Sequence, residues 1–256
     1  MGQNQFEILQ DGLNRDWQGK KFKTLLLADS YKRLGIKKSY RVSECGTFLE
    51  FKRNLLDNTL KLNQANFCKV RLCPMCSWRR SLKIFGQVSR VMNQALEHND
   101  YRFIFLTLTC KNVYGAELSD TINELFRAYN LLTKRKQFKS AAKGWFRALE
   151  VTHNLDIKSS NYDTYHPHFH VILMVNKSYF KDTKIYITQE EWTNLWRSCL
   201  KVDYTPVVDV RAFRTTGKAQ TSKSVAESAK YTVKDNDYII PDDEELTDDA
   251  VMILDY

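Results

Sequence analysis

The sequence has 256 residues, and its hydrophobic content of 43% is typical of a globular protein rather than a disordered one. No apolar run approaches the roughly 18 to 20 residues that span a bilayer. The N-terminal residues lack the basic and apolar regions of a secretory signal. We therefore expect a cytoplasmic protein with no membrane partner, and a chain of this length can bury one substantial core.

The formal net charge of +9 is distributed unevenly along the chain. Lys234 is the last basic residue, and nine acidic residues follow it. Residues 1–234 therefore carry a formal charge of +18 and precede an acidic tail. This asymmetry indicates a polyanion as the partner. A solvated surface rich in lysine would give the same charge, so charge alone leaves both interpretations open.

The N-terminal segment, residues 1–37, contains a short basic helical pattern from Trp17 to Leu34. Gly35 is the expected stop signal of this helix. No residue type or spacing in the segment indicates chemistry. We therefore predict a structural helix there.

Residues 38–80 form a segment rich in cysteine. Cys45 leads a strand-like stretch, Cys68 lies in a second one, and the turn Cys73-Pro74-Met75-Cys76 follows. In a chain without a secretory signal, this spacing favours a metal site over disulfides. These four cysteines suit a tetrahedral zinc site in a small β-rich module, with Cys45 the weakest ligand and buried free cysteines the alternative. Cys110 and Cys199 are predicted to be core residues.

A long amphipathic helix is predicted after the cysteines, because apolar residues recur there at intervals of three to four. Ser77 is expected to cap its start. Four basic side chains are predicted to gather near the cysteine module: Arg71, Arg79, Arg80 and Lys83. Contact with a phosphate backbone and an ordinary solvated helix face explain these side chains equally well.

Strand and helix patterns alternate in the segment that follows. The predicted strands are 101–110, 144–153, 165–175 and about 206–213, and the predicted helices are 119–138, one opened by the capping box Thr188–Glu191, and about 224–234. The polar segment 154–164 is predicted to be a loop. The two strands that it joins are therefore expected to be antiparallel neighbours.

A pair of histidines begins the third of these strands. Side chains alternate along a strand, so His168 and His170 point to one face, where two imidazoles are good metal ligands. Glu150 lies within the preceding apolar strand, where an unpaired carboxylate is costly to bury. The antiparallel pairing is expected to bring Glu150 within reach of both histidines. A chance pair of histidines at a polar strand end is the alternative.

The last helical pattern contains a tyrosine with a carboxylate one turn before it. Glu227 and Tyr231 are four residues apart and share a helix face, with Lys234 a turn further on. A tyrosine hydroxyl attacks a phosphodiester only if a cation stabilises the phenolate, and nearby lysines with a metal-bound phosphate would supply that. A neighbouring carboxylate would take a proton from the tyrosine or from water. An ordinary helix with a half-buried tyrosine fits the spacing as well.

In this order, the motifs resemble the rolling-circle plasmid replication initiators of Gram-positive bacteria, which belong to the HUH endonucleases. The resemblance covers about residues 45–237. It rests on C-x4-CPMCSWRR at 68–80, FLTLT at 105–109, the strand of Glu150, His168-Phe169-His170, and E-x3-Y-x2-K at 227–234. It implies an α+β fold in which a central antiparallel sheet has flanking helices, with a small cysteine-rich zinc module. The expected segments are an N-terminal helical segment 1–37, the zinc module 38–80, a catalytic domain 81–240 and an acidic tail 241–256.

The resemblance also implies a reaction, the metal-dependent nicking and joining of single-stranded origin DNA. Tyr231 would attack and leave a 5′-phosphotyrosine, Glu227 would activate water at termination, and Lys234 would assist. His168, His170 and, with less support, Glu150 would hold Mn²⁺ or Mg²⁺, and His166 is an outer-shell candidate that Pro167 would turn away. Zn²⁺ would be structural.

The resemblance implies partners as well. Lys230 would join the four basic residues named above in contacting plasmid origin DNA, either single-stranded or in a hairpin. A host helicase and a second copy of the chain are further expected partners. Related initiators usually extend past this point, so this chain is either a truncated form or a naturally short member, and elements for dimerisation or origin binding would then be missing from it.

Two other functions stay open. A zinc-containing DNA-binding regulator without catalysis would explain the charge and the cysteines, but not Glu150, His168 and His170. A transposase with the same HUH chemistry would join element ends instead of starting replication. A metal-dependent cleavage assay separates the regulator from the two enzymes.

Overall fold

The structure, a computed structural model, describes residues 16–97, 100–213 and 234–255. The chain divides into two compact units, Met1–Arg80 with Tyr238–Tyr256, and Ser81–Asp237. Within the described ranges, no helix combines the length and apolar character that a membrane crossing needs.

The first unit consists of helices around a small hairpin. Its elements are α1 (Trp17–Arg33), α2 (Ser39–Ser43), β1 (Leu49–Arg53), β2 (Leu60–Ala65), the start of α3 (Pro74–Glu97) and α7 (Glu244–Leu254). Gly35 follows α1 with a positive φ of 66°, a backbone conformation that favours glycine, which confirms the predicted stop signal. Cys68 lies beyond β2, so its predicted place in a strand is wrong.

Part of the acidic C-terminal segment is an ordered helix in this unit. Asp243 accepts a hydrogen bond from the backbone N–H of Leu246 and so caps the start of α7. The Arg33 guanidinium donates two hydrogen bonds of 2.8 Å to the Asp248 carboxylate. Lys38 forms an ion pair with Asp255 at 2.6 Å. The acidic residues thus pair with basic residues from the N-terminal helices.

The second unit is built on a four-stranded antiparallel sheet in the order β4-β5-β3-β6. The strands are β3 (Tyr101–Thr109), β4 (Ala142–Asn154), β5 (Thr164–Asn176) and β6 (Val208–Ala212). The helices are the rest of α3, then α4 (Gly115–Leu132), α5 (Lys136–Ala141) and α6 (Gln189–Leu200). This confirms the predicted α+β fold with a central antiparallel sheet.

The two faces of β5 carry side chains with different surroundings. Phe169, Val171 and Leu173 point to one face and are buried under α4 and α6 in the main core. Residues of the alternate set point to the other face, where Ile172 packs with Met92 of α3. His168 belongs to this second set, since strand side chains alternate. The strand therefore presents its histidines on the face that the main core does not cover.

Two predicted helix boundaries differ from the structure. The helix predicted over 119–138 is divided into α4 and α5, because Lys134 and Arg135 donate backbone hydrogen bonds to residues three positions earlier and tighten the last turn of α4. α3 begins at Pro74, a residue whose missing N–H is tolerated at the first helical position, so Ser77 is inside the helix rather than at its cap. The helix predicted near 224–234 lies outside the described residues, except for Lys234.

Candidate metal centres and active site

The four cysteines predicted as zinc ligands converge at one buried point of the first unit. Their Sγ atoms lie 3.6 Å apart for Cys45 and Cys76, for Cys68 and Cys76, and for Cys73 and Cys45. A tetrahedral zinc ion with bonds of about 2.3 Å needs sulfur atoms about 3.8 Å apart. The residues present therefore fit a structural tetrathiolate site.

The backbone around Cys68 also points toward the sulfur atoms. Lys69 has a positive φ of 60°, and its N–H lies 3.2 Å from Cys76 Sγ. The N–H of Val70 lies 3.4 Å from Cys68 Sγ, and that of Cys68 lies 3.4 Å from Cys45 Sγ. Backbone donors gathered in this way stabilise negative charge. Hydrogen bonds from the neighbouring thiols lower the pKa of Cys68.

Two residues of α1, a helix for which the sequence predicts no chemistry, contact this cluster. Lys21 Nζ donates to the carbonyls of Ser43 at 2.6 Å and Cys45 at 2.9 Å. Burial lowers the pKa of Lys21, while the negative charge of Cys45 opposes that shift. Thr24 Oγ1 lies 3.7 Å from Cys73 Sγ. A lysine and a threonine three positions apart in a basic helix carry no sequence signal, so only the packing of α1 identifies them.

The second cluster combines Glu150 of β4 with His168 and His170 of β5. The strand register pairs Glu150 with His168 directly, and Thr107 of β3 with His170. Glu150 Oε2 lies 2.9 Å from His170 Nε2 and 3.7 Å from His168 Nε2. The two Nε2 atoms are 3.3 Å apart. The structure thus brings together the three residues that the sequence places on neighbouring strands.

These separations fit a divalent metal ion. Two neighbouring ligands of an octahedral ion with bonds of about 2.1 Å lie about 3.0 Å apart. Glu150, His168 and His170 are only 4%, 8% and 7% exposed. An ion bound between them would therefore exchange some of its water ligands for fixed protein ligands. The set of two imidazoles and one carboxylate suits Mn²⁺ and related ions.

Neighbouring groups fix the orientation of both imidazoles. His168 Nδ1 lies 3.0 Å from the carbonyl oxygen of His166, which can only accept, so Nδ1 carries the hydrogen. In the neutral ring, Nε2 then presents its lone pair to the cluster. His170 Nδ1 lies 3.3 Å from Thr107 Oγ1, and the ring stacks on Phe105. Such outer partners set the ligand tautomer, and Thr107 is one that the sequence analysis missed although it lies in the FLTLT motif.

The ammonium group of Lys234 pairs with the carboxylate of Glu150 at this site. Its Nζ lies 2.7 Å from Glu150 Oε1, so the two carboxylate oxygens face different partners. Burial opposes ionisation of Glu150, but its contacts with His168, His170 and Lys234 outweigh burial and hold the pKa well below its usual range. Glu150 is therefore an anion at neutral pH.

Other predicted site residues lie elsewhere. The ring of His166 stacks on that of His168, with 5.1 Å between centroids, but its Nε2 lies 3.0 Å from the carbonyl of Cys110 rather than on the ligand atoms. Arg79 lies over the ring of Trp17, with 5.4 Å from its Cζ to the ring centroid, while three other basic residues are exposed: Arg71, Arg80 and Lys83. Glu227, Lys230 and Tyr231 lie outside the described residues.

Comparison with known proteins decides the family. The family model described as Replication protein, Rep_1, matches residues 59–255. The chain belongs to this family of replication proteins. It is 43% identical over 262 residues to "Protein rep" of Bacillus amyloliquefaciens, covering 93% of this chain and 75% of the relative. It is 44% identical over 240 residues to "Protein rep" of Streptococcus pneumoniae serotype 2, covering 91% and 73%. No solved structure matches the chain.

Membership of the replication-protein family confirms the resemblance to plasmid replication initiators of Gram-positive bacteria. A third relative, "Protein rep" of Staphylococcus aureus, is 41% identical over 202 residues, with 78% of this chain and 83% of the relative covered. The matched region includes Glu150, His168, His170 and Lys234. The cluster on β4 and β5 is therefore a site within the family's own domain.

In this replication protein, Thr107→Val is expected to weaken divalent-metal binding by about tenfold to a hundredfold, because His170 loses the partner of its Nδ1. Titration calorimetry with Mn²⁺ measures the change. Thr193→Val is the matched control, since the hydroxyl of Thr193 bonds to the carbonyl of Gln189 in its own helix. Equal Mn²⁺ affinity in Thr107→Val and the control would contradict the outer-partner role.

Proposed function

We propose that the chain is a rolling-circle initiator with HUH endonuclease chemistry, which nicks and rejoins single-stranded DNA at a plasmid origin. One observation carries the proposal. Lys234, the last residue of the E-x3-Y-x2-K motif, forms an ion pair with Glu150 of the metal-ligand cluster. Tyr231 precedes Lys234 by three residues in the sequence, so the motif that contains the candidate nucleophile includes a residue paired with the cluster.

In the nicking step, the Tyr231 hydroxyl oxygen attacks the scissile phosphorus. A phosphotyrosine bond forms at the 5′ end while the bond from phosphorus to the 3′ oxygen breaks. The tyrosine proton passes to a base, proposed to be Glu227, four residues before Tyr231, and the departing 3′ oxygen gains a proton. The free 3′-OH then primes synthesis, and no oxidant or further reactant is needed.

At termination, Glu227 is proposed to take a proton from water. The water oxygen attacks the phosphotyrosine, the bond from tyrosine to phosphorus breaks, and the protein is released. A carboxylate one helical turn from the tyrosine is placed for both proton transfers if the segment is helical, as the spacing predicts.

His168, His170 and Glu150 would hold the divalent ion, Mn²⁺ or Mg²⁺, which when bound polarises the scissile phosphate and positions it. The residues of the chain prepare the site for this. The carbonyl of His166 fixes the tautomer of His168, and Thr107 orients His170. Lys234 holds Glu150 as an anion through Oε1 and leaves Oε2 facing the histidines.

The DNA contacts are proposed from charge. Arg71, Arg80 and Lys83 are exposed basic side chains suited to phosphates, and Lys230 is a sequence-based candidate. We also propose that Zn²⁺ occupies the four-cysteine site as a structural ion. A host helicase and a second copy of the chain complete the proposed partners.

The decisive experiment is covalent capture of DNA. We expect the wild type with Mn²⁺ to attach to a single-stranded oligonucleotide that contains the origin, and mass spectrometry of tryptic peptides to locate the link at Tyr231. Tyr231→Phe removes the attacking oxygen, so attachment falls to background while oligonucleotide affinity changes less than about twofold. Tyr186→Phe is the matched control, because Tyr186 is an exposed tyrosine outside the cluster.

Three results would overturn the proposal. Full attachment by Tyr231→Phe would exclude this residue as the nucleophile. Absence of cleavage by the wild type with every divalent ion would favour a DNA-binding regulator. Joining of element ends without origin-dependent nicking would favour a transposase.

A further inference from the structure

A buried histidine that takes no part in the reaction proposed above lies between two hydrogen-bond acceptors. His153, on β4 three positions after Glu150, is 6% exposed. Its Nε2 lies 2.8 Å from Asp163 Oδ1 and its Nδ1 lies 3.0 Å from the carbonyl oxygen of Asp237. Its ring stacks on Tyr165, with 4.3 Å between centroids and 11° between planes. Three partners from two other segments thus fix this one side chain.

The chemistry of these partners determines what His153 does. A carboxylate and a backbone carbonyl accept hydrogen bonds, so both contacts form only if both ring nitrogens carry a hydrogen. The partner of Nε2 is a carboxylate, and a hydrogen bond to a carboxylate is charge-assisted. His153 therefore joins the loop before β5 to the segment that ends in Asp237.

The same segment carries Lys234. Asp237 Oδ2 accepts a hydrogen bond of 3.1 Å from the Lys234 N–H, and the Asp237 N–H donates to the Lys234 carbonyl at 3.0 Å. These two bonds close the short turn over Asp235–Asp237. A continuous set of contacts therefore runs from Asp163 through His153 and Asp237 to Lys234, whose ammonium lies on Glu150.

The backbone conformation of Asp163 supports a specific role for its carboxylate as the partner of His153. Asp163 has a positive φ of 53°, a strained conformation that aspartate tolerates better than most residues other than glycine and asparagine. Its N–H donates to the Asn154 carbonyl at 2.9 Å. Because this residue directly precedes β5, its conformation decides where the carboxylate meets His153. Glycine would relieve the strain but could not make the contact.

We propose that His153 is a positioning residue for the nicking reaction. It fixes the Asp237 turn against β4 and so holds Lys234 on the metal-ligand cluster. The role in nicking rests on the function proposed above, while the latch formed by Asp163, His153 and Asp237 rests on its own contacts.

The first test is His153→Phe, which keeps a ring for Tyr165 and removes both N–H groups. Hydrogen exchange of the peptide that spans residues 234–240 should become at least about tenfold faster, and that of β5 should not change. The rate constant of oligonucleotide cleavage under saturating DNA should fall by about tenfold to a hundredfold, with the half-saturating DNA concentration within about twofold. Asp156→Asn, an exposed acid of the same loop, is the control.

The second test separates the hydrogen bond from backbone strain. Asp163→Asn keeps an acceptor oxygen and tolerates the positive φ, so cleavage should stay within about threefold of the wild type. Asp163→Gly relieves the backbone and removes the acceptor, so cleavage should fall toward the His153→Phe value. The reverse order would overturn the proposal.

The outcomes distinguish the two proposals. Unchanged exchange of peptide 234–240 in both His153→Phe and Asp163→Gly would show that the latch does not hold the turn, even if the wild type cleaves DNA. Faster exchange in a chain whose wild type cuts no DNA would leave the latch intact and refute the nicking function. Suppose instead that DNA affinity and cleavage fall together and that hydrogen exchange becomes faster by the same factor throughout the protein. His153 would then have a merely structural role, and the positioning proposal would be overturned.

Discussion

Replacement of both His168 and His170 by alanine is expected to abolish divalent-metal binding and to lower metal-dependent DNA cleavage by at least about a thousandfold. The reason is that two of the three ligand atoms gathered within 4.8 Å are lost. Glu150 alone, already paired with Lys234, is a poor site for a divalent ion. Calorimetric titration with Mn²⁺ and a cleavage assay with an origin oligonucleotide measure the two effects.

Loss of folding must not be mistaken for loss of metal. The double substitution leaves Glu150 beside Lys234 at 2.7 Å, so no buried carboxylate is left unpaired. The lost contact of His170 with Phe105 is a packing contact and costs about 1 to 3 kcal/mol. The thermal transition should therefore be lower but still cooperative. Retained Mn²⁺ binding at wild-type affinity in this folded variant would refute the assignment of the metal site.

The two oxygens of the Glu150 carboxylate face different partners, which explains how a lysine and a metal ion can share this side chain. Oε1 faces Lys234 and Oε2 faces the two histidines, so the ammonium does not occupy the position between the imidazoles. A Glu150→Gln variant keeps the shape but loses the charge that both partners need. Its metal affinity should therefore fall even though its oxygen still points to His170.

The sequence predicts the parts of this site that follow from strand geometry. Alternation along β5 places His168 and His170 on one face, and the polar loop 154–164 implies an antiparallel neighbour, so Glu150 is correctly placed opposite them. Thr107 and His153 act through contacts that form only after β3 and the Asp237 turn have packed. No spacing rule within one segment contains that information.

The same limit applies to the cysteine module. The spacing of Cys68, Cys73 and Cys76 predicts a shared site with Cys45 as its weakest ligand, and the structure places Cys45 at the same 3.6 Å separation. The contributions of Lys21 and Thr24 come from a helix more than twenty residues earlier in the chain. They depend on how α1 packs, which an amphipathic pattern does not specify in detail. Tertiary contacts, rather than motifs, supply the outer partners of both clusters.

Substitution of Cys76 by alanine is expected to eliminate bound zinc and to unfold the first unit. Cys76 Sγ lies 3.6 Å from both Cys45 and Cys68, so its loss opens the tetrahedron that joins the hairpin region to α3. A structural zinc ion contributes about 10 to 16 kcal/mol of apparent binding free energy at neutral pH, more than a typical domain has to lose. Metal analysis should show one zinc ion per wild-type chain and none in the variant.

Cys199→Ala is the matched control for this experiment, because Cys199 is also buried but lies on α6, in the main core of the second unit. Its replacement should cost about 1 to 2 kcal/mol as a small cavity, with zinc content unchanged. Hydrogen exchange should report unfolding in α1 and α7 of Cys76→Ala but not in β5, since α1 and α7 belong to the first compact unit and β5 to the second. A wild type that contains no zinc, or a Cys76→Ala variant as stable as Cys199→Ala, would show that the four thiols are buried cysteines without a metal. Selective unfolding of α1 and α7 would instead show that the first unit needs the zinc ion to stay folded, because its small apolar core is not sufficient.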